Sequence, residues 1–351
     1  MPTSSPPDAA PRRRRLLRGA VSLLVVVAIF VGVLPRVADL SQVWRAIGDM
    51  TALEVATVVA VAAWNLVSYW LVQLSVLPGL RAPQAAVAMQ ASTALANAVP
   101  AGAAVGIGVM YGMYASWGFS RSAVTLSLLL SGIWNNFVKI GMPVLALAIL
   151  ALQGDANSAL LTASLAGLAL LVAALACFGL VLGSDRLARR VGTVLATVAS
   201  RLRRLAHRGP VSGWGEAAAD FRSQTIGLLR ARWLALTLST LVSHASLYLV
   251  LLVALRHVGV SDVEVSSAEI LGAFAFVRLV SALPITPGGL GVVELGLTAA
   301  LVVAGGDREL VVAGVLVYRA LTYLLPIPIG ALAYLAWRRR TSWRAPKLAV
   351  E

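Results

Sequence analysis

Charge is scarce in this chain. Only 13% of its 351 residues are Asp, Glu, Lys or Arg, and acidic residues number 15. A soluble domain of this length needs a more polar surface, so that class is excluded. There is a single cysteine, Cys177, inside an apolar run. This rules out a disulfide framework or a thiolate metal site within one chain. The three histidines, His207, His244 and His257, fall on different segments. No Ser/His/Asp grouping, phosphate loop or metal-ligand spacing is visible, so we expect no catalytic centre, no metal and no cofactor.

What is present is apolar. Hydrophobic residues make up 59% of the chain, and the mean hydropathy is +0.85. These values describe an all-α polytopic membrane protein. The formal net charge is +14, carried mostly by arginines grouped at the N-terminus, in one central stretch and at the C-terminus. Such grouping is the positive-inside pattern and not the basic stripe of a nucleic-acid binder.

Residues 1–15 read as a disordered basic N-terminus. The following run, 16–34, is too long for a signal-peptide core and lacks a small-residue cleavage site, so it reads as the first span. Further spans are expected at 53–77, 122–152, 158–182, 233–255 and 309–336, with a short tail at 337–351. Region 183–232 reads as a basic cytoplasmic loop, with ten arginines against Asp185, Glu216 and Asp220. It fits either an orientation signal with a solvated amphipathic helix or a segment lying on the anionic leaflet.

Two regions, 84–117 and 268–304, break the pattern. Each has two apolar arms of about 15–17 residues around a Pro/Gly break, short of the ~20 residues of a full span. Loop charges place both ends of 84–117 inside and both ends of 268–304 outside, which makes each a re-entrant hairpin or at most a pair of thin spans. The triplets 53–77, 84–117, 122–152 and 233–255, 268–304, 309–336 then form two inverted-topology repeats. The expected breaks are Pro100 and Gly102 in the first hairpin, and Pro284, Pro287 and Gly291 in the second. The second arm of the latter is expected to start near Leu290.

Ionisable residues at such depth are costly, and they concentrate here: Arg278, Glu294 and Arg319. They fit either a substrate site or a buried ion pair that pins the hairpin. Thr286, Gly288 and Gly289 complete the candidate site, whose freed N–H groups and helix N-terminus suit an anion. In the first half, Ser127, Ser131, Asn135 and Lys139 recur every fourth residue and form one polar face, with Lys139 as the counterpart of Arg319. Asn135 and Lys139 are kept as candidates for a substrate cavity.

The run Pro284-Ile-Thr-Pro-Gly-Gly-Leu-Gly-Val-Val-Glu294, with Tyr318-Arg319 in the last span, resembles a signature of the lysylphosphatidylglycerol synthase transmembrane-region family. The resemblance covers about residues 40–340. The first break, Pro100-Ala-Gly-Ala-Ala-Val-Gly106, departs from it, lacking the glutamate and arginine found there in many members. The resemblance implies flippase-like translocation of an anionic lipid or lipid-linked head group in the cell membrane, without the soluble synthase domain. Partners would be anionic membrane lipids, with no nucleic acid; both termini would be cytoplasmic, and the oligomeric state stays open. A transporter of a small polar solute or ion, a lipid head-group enzyme and a non-transporting scaffold are the alternatives.

Overall fold

The computed structural model describes residues 39–99, 102–153, 158–205, 209–281 and 286–343, all helices and connections with no strand among them. The first expected span, 16–34, lies outside the described residues, as do Pro100 and Pro284. Among the described residues, five helices are long and apolar enough to cross a membrane: Ala52–Val76, Arg121–Leu152, Leu165–Gly183 within a longer helix, Trp214–His257 and Arg308–Arg339. The chain is a multi-pass membrane protein.

In order, the helices are α1 (Leu40–Gly48), α2 (Ala52–Val76), α3 (Ala82–Ala98), α4 (Gly102–Ser116), α5 (Arg121–Leu152) and α6 (Ser158–Gly183). Then come α7 (Asp185–Leu205), α8 (Trp214–His257), α9 (Ser267–Val280), α10 (Val292–Val303), α11 (Arg308–Arg319) and α12 (Pro326–Arg339). Many starts follow from local chemistry. Asp39 caps α1 by accepting from the Ser41 N–H, and Ser120 caps α5 by accepting from the Ala123 N–H. Ser266 and Glu269 cap α9 reciprocally. In α2 the Glu54 carboxylate reaches back to the N–H and hydroxyl of Thr51, at 2.7 and 2.8 Å.

The chain divides into two compact units. The first comprises Met1–Ala63, Val87–Met110 and Leu247–Arg339. In it α9 packs on α10, α10 on α11 and α11 on α1. At the crossing of α8 and α11 the backbones approach closely: a Cβ on Gly314 would lie 2.7 Å from the Leu255 side chain. The second comprises Trp64–Ala86, Tyr111–Ser246 and Arg340–Glu351. Here α5 packs along α6, and a buried polar seam joins the C-terminal half of α2 to α8. Asn65 donates to the Ser243 carbonyl and the Ser246 hydroxyl, and the Ser68 and Ser246 hydroxyls meet at 3.0 Å. Short polar side chains between apolar helices are a common membrane adhesive.

Three expectations need correction. Region 183–232 is mostly helix and not loop: its first part holds α7, where a helix was one of the two readings, and α8 begins already at Trp214. The span expected at 233–255 is therefore the C-terminal part of a 44-residue helix. The polar residues of Trp214–Arg232 hid it, because hydropathy reports where a helix can be buried and not whether it is a helix. The last span is also interrupted. Residues Ala320–Leu324 form a π-helical turn, with the Leu325 N–H donating to the Ala320 carbonyl at 2.8 Å. Pro326 follows directly; it lacks an N–H and its ring crowds the carbonyl four residues back, which disfavours a regular α-turn there.

Regions 84–117 and 268–304 each consist of two short helices, of 17 and 15 residues in the first and 14 and 12 in the second. At ~1.5 Å per residue none reaches the ~30 Å of a hydrocarbon core.

Candidate functional site

The break after α9 is built by glycine. Pro287–Gly289 make a single 3-10 turn, and Gly288, Gly289 and Gly291 have φ of 56°, 69° and 80°. A side chain would strain all three positions. The turn is closed from within: the Gly289 N–H donates to the Thr286 carbonyl at 3.2 Å, and the Thr286 hydroxyl donates to the Leu290 carbonyl at 2.8 Å. The second arm starts at Val292, two residues later than expected.

Glu294 sits in the first turn of α10 and is 3% exposed. One carboxylate oxygen accepts from the Gly291 N–H at 2.7 Å. Gly291, with no side chain, cannot cap the helix, so Glu294 caps it from inside. The other oxygen accepts from Nε of Arg319 at 2.7 Å, and Arg319 is itself only 8% exposed. A charge-assisted pair this short and this buried is held by its own geometry and would be severely destabilised by loss of one partner.

The guanidinium has two more contacts. Nη2 donates to the Gly288 carbonyl at 3.2 Å, and Cζ lies 4.3 Å from the ring centroid of Tyr323. One arginine thus grips both ends of the break, the carbonyl of its 3-10 turn and the cap of its second helix. The ring of Tyr323 also abuts the turn, since a Cβ on Gly288 would collide with it.

Tyr323 extends the cluster to the first break. Its hydroxyl donates to the Asn97 carbonyl at 2.8 Å, and the Asn97 amide donates to the Tyr323 carbonyl at 3.1 Å. Asn97 and Tyr323 were not singled out in the sequence; both are neutral and 226 residues apart. The one available signal was proline: Pro326 just after Tyr323 and Pro100 just after Asn97.

The candidates divide as follows. Arg319, Glu294, Gly288, Gly289, Thr286 and Gly291 come together at the second break. Pro287 begins its 3-10 turn. Arg278 is in the last turn of α9, where a cation suits the helix C-terminus. It is partly buried, and its Nε is fully buried without a hydrogen-bond partner among the described residues. Gly102 starts α4, where its lack of a side chain lets the helix approach the Leu95 and Ala96 carbonyls. Asn135 and Lys139 are partly buried on α5, in the second unit.

The arrangement holds one neutralised arginine and leaves a second cation unneutralised by any carboxylate in salt-bridge range among the described residues. The N-terminus of α10 is already met by the chain's own carboxylate, so the N–H of Gly291 is not free for a ligand.

No curated protein matches the chain. The family model described as "Lysylphosphatidylglycerol synthase TM region" matches residues 17–330, most of the sequence. The residues that carry the second break lie inside that match, and the chain belongs to the lysylphosphatidylglycerol synthase TM region family.

Proposed function

We propose that this protein translocates an anionic lipid, or the anionic head group of a lipid-linked molecule, across the plasma membrane in a flippase-like manner. In this reading the two helix–break–helix regions are re-entrant hairpins of two inverted repeats, and both termini are cytoplasmic. Substrate passes through a cleft bounded by the breaks as the repeats rock. The protein acts without catalysis, cofactor or metal.

The observation that carries the reading is the cluster of expensive groups in one broken element. A buried ion pair and three left-handed glycines are concentrated around a single turn, and Arg278, whose Nε is buried with no hydrogen-bond partner among the described residues, lies in the last turn of the helix that leads towards it. Ionisable groups at membrane depth mark substrate paths more often than packing. The phosphate of a lipid suits a guanidinium, which can offer it two parallel N–H groups. Glu294 holds Arg319 in a fixed orientation, and Arg278 supplies the uncompensated charge. Thr286, Gly288 and Gly289 shape the turn, and Asn135 and Lys139 serve the equivalent place in the first half.

The test is translocation of fluorescent phosphatidylglycerol in proteoliposomes, with a thermal-stability measurement of each variant. Arg278→Gln is expected to keep the fold and lose most translocation, with Arg278→Lys in between. A wild-type protein that moves neither anionic nor zwitterionic lipid would end this reading. The topology is checked separately by single-cysteine labelling in a Cys177→Ser background: positions 155 and 262 are expected outside, 121 and 204 inside. Labelling of 121 and 155 from the same side would remove the hairpin assignment.

A further inference from the structure

α7 is not one of the candidate spans, yet it exposes an apolar stripe. Val194, Leu195, Val198 and Leu202 are 55%, 54%, 47% and 63% exposed. Their spacing puts them on one face of the helix. A second face is small and buried: Ala188, Gly192, Ala196 and Ser200. That face packs on the start of α8, so tightly that a Cβ on Gly192 would collide with the Trp214 carbonyl. The remaining surface is basic. α7 carries Arg186, Arg189, Arg190, Arg201, Arg203 and Arg204 against one acid, Asp185, and the helical spacing sets Arg190 and Arg201 along one edge of the stripe.

We propose that α7 is an interfacial helix whose apolar stripe sits in the anionic surface of the bilayer that the protein itself spans. Three features select this occupant. The spanning part of α6 ends at Gly183, and only Ser184 separates it from α7, so the stripe begins at the membrane boundary. Arg222 fastens that boundary, donating from Nε to the Leu182 carbonyl at 2.8 Å. The charge of α7 complements anionic head groups, each nearby arginine adding ~1 kcal/mol of attraction to such a surface. A second copy is disfavoured, because it carries the same formal charge of +14. An apolar stripe beside arginines on a helix too polar to span is the pattern of a helix lying in the interface plane. The inference is independent of what the protein transports.

The test uses the full chain in the Cys177→Ser background, in nanodiscs holding one chain each. An environment-sensitive fluorophore is attached at Leu195→Cys, Leu202→Cys or, on a different face, Thr197→Cys. In phosphatidylglycerol discs the labels at 195 and 202 should be quenched by lipids brominated on their acyl chains. Their iodide quenching constants should be several-fold below that of the label at 197. Arg190→Glu with Arg201→Glu should raise iodide access at 195 towards the value at 197. Labels at 195 and 202 as open to iodide as the one at 197 would overturn the proposal. So would shielding at 195 unchanged by the arginine reversals, or shielding seen only when two chains share a disc.

Discussion

The two breaks solve the same problem with different chemistry. Both interrupt a pair of helices too short to span, and both must satisfy or shield freed backbone groups inside protein. The first break does it by proximity. Gly102 and Gly106 let α4 lie directly against the Leu95, Ala96 and Ser92 carbonyls, and Asn97 to Gly106 contain no ionisable residue. The second uses charge: Glu294 caps α10, and Arg319 joins that cap to the 3-10 turn. Tyr323 links them, stacked on Arg319 and bonded reciprocally to Asn97. The neutral break thus serves as an anchor for the charged one. Any conformational change at the second break must either carry Asn97 with it or break two hydrogen bonds.

The largest effect should come from cutting the charged break at its centre. Arg319→Gln leaves Glu294 buried without its ionic partner, and loss of one member of a buried pair costs ~3–5 kcal/mol. Arg319→Lys keeps the charge but cannot reach Glu294 and the Gly288 carbonyl with a planar fork, so we expect an intermediate loss. Thermal unfolding in detergent, read beside lipid translocation, separates two roles. If activity and stability fall in step across Gln and Lys, the pair is structural, and the comparison reduces to two ways of stapling a turn. If Lys regains stability and not activity, the guanidinium acts on substrate.

Next comes glycine. At Gly288 an alanine meets both a left-handed backbone and the Tyr323 ring; at Gly102 it meets the Leu95 and Ala96 carbonyls, with no positive φ. Backbone strain of ~1–3 kcal/mol is therefore added at Gly288 and absent at Gly102. Gly288→Ala should displace Tyr323 and weaken its stacking on Arg319, so it should impair translocation more than Gly102→Ala at equal loss of stability. Gly108→Ala is the control: nothing lies within 4 Å of its Cβ, and alanine is favoured in a helix interior. Equal stability for all three variants would mean that neither break is tightly closed.

Much of this was legible before the fold. Apolar runs interrupted by proline and glycine gave the arms at 84–117 and 268–304, because a bilayer penalises broken backbone and the sequence must show the interruption. Glu294 and Arg319 were legible for the same reason: charge at depth is rare enough to be noticed. What stayed hidden carried no such penalty. The first 19 residues of α8 looked like loop because they are polar, yet Ser122 donates to Gln224 and Leu228 packs against the buried cluster of Val72, Val76, Leu130 and Leu236. The capping of Gly291 by Glu294 was hidden too, since it depends on where α10 begins. Asn97 and Tyr323 were invisible as a pair. Their hydrogen bonds run through backbone carbonyls, which every residue has.

The comparison sharpens further at that pair. Asn97→Ala removes the donor to the Tyr323 carbonyl, a group in the π-helical turn, and an unsatisfied buried carbonyl costs ~1–3 kcal/mol. It leaves the tyrosine ring and its contact with Arg319 in place. We therefore expect a moderate loss of stability, with translocation changed through the rate of opening and not through head-group affinity. Binding of phosphatidylglycerol measured by native mass spectrometry should stay close to wild type. A large loss of bound lipid would instead put Asn97 in the substrate site.

Tyr323→Phe should have the smallest effect and the clearest meaning. It removes only the hydroxyl that donates to the Asn97 carbonyl, a neutral hydrogen bond worth about 0.5–1.5 kcal/mol. The ring remains, so the stacking on Arg319 and the wall behind Gly288 remain. The Asn97 amide still donates to the Tyr323 carbonyl. If the two breaks move as one body, one of two links survives, and Tyr323→Phe should lower stability slightly and leave translocation intact. If they separate during transport, each turnover must break both links, and removing one should speed the step. A double-mutant cycle with Asn97→Ala decides between these, with stability and rate measured on the same preparations. A coupling in stability alone fits breaks that stay together. A faster rate in each single variant, with no further gain in the double, fits breaks that part. A rate lowered in Tyr323→Phe with stability unchanged would contradict both, and would make the hydroxyl itself part of the path.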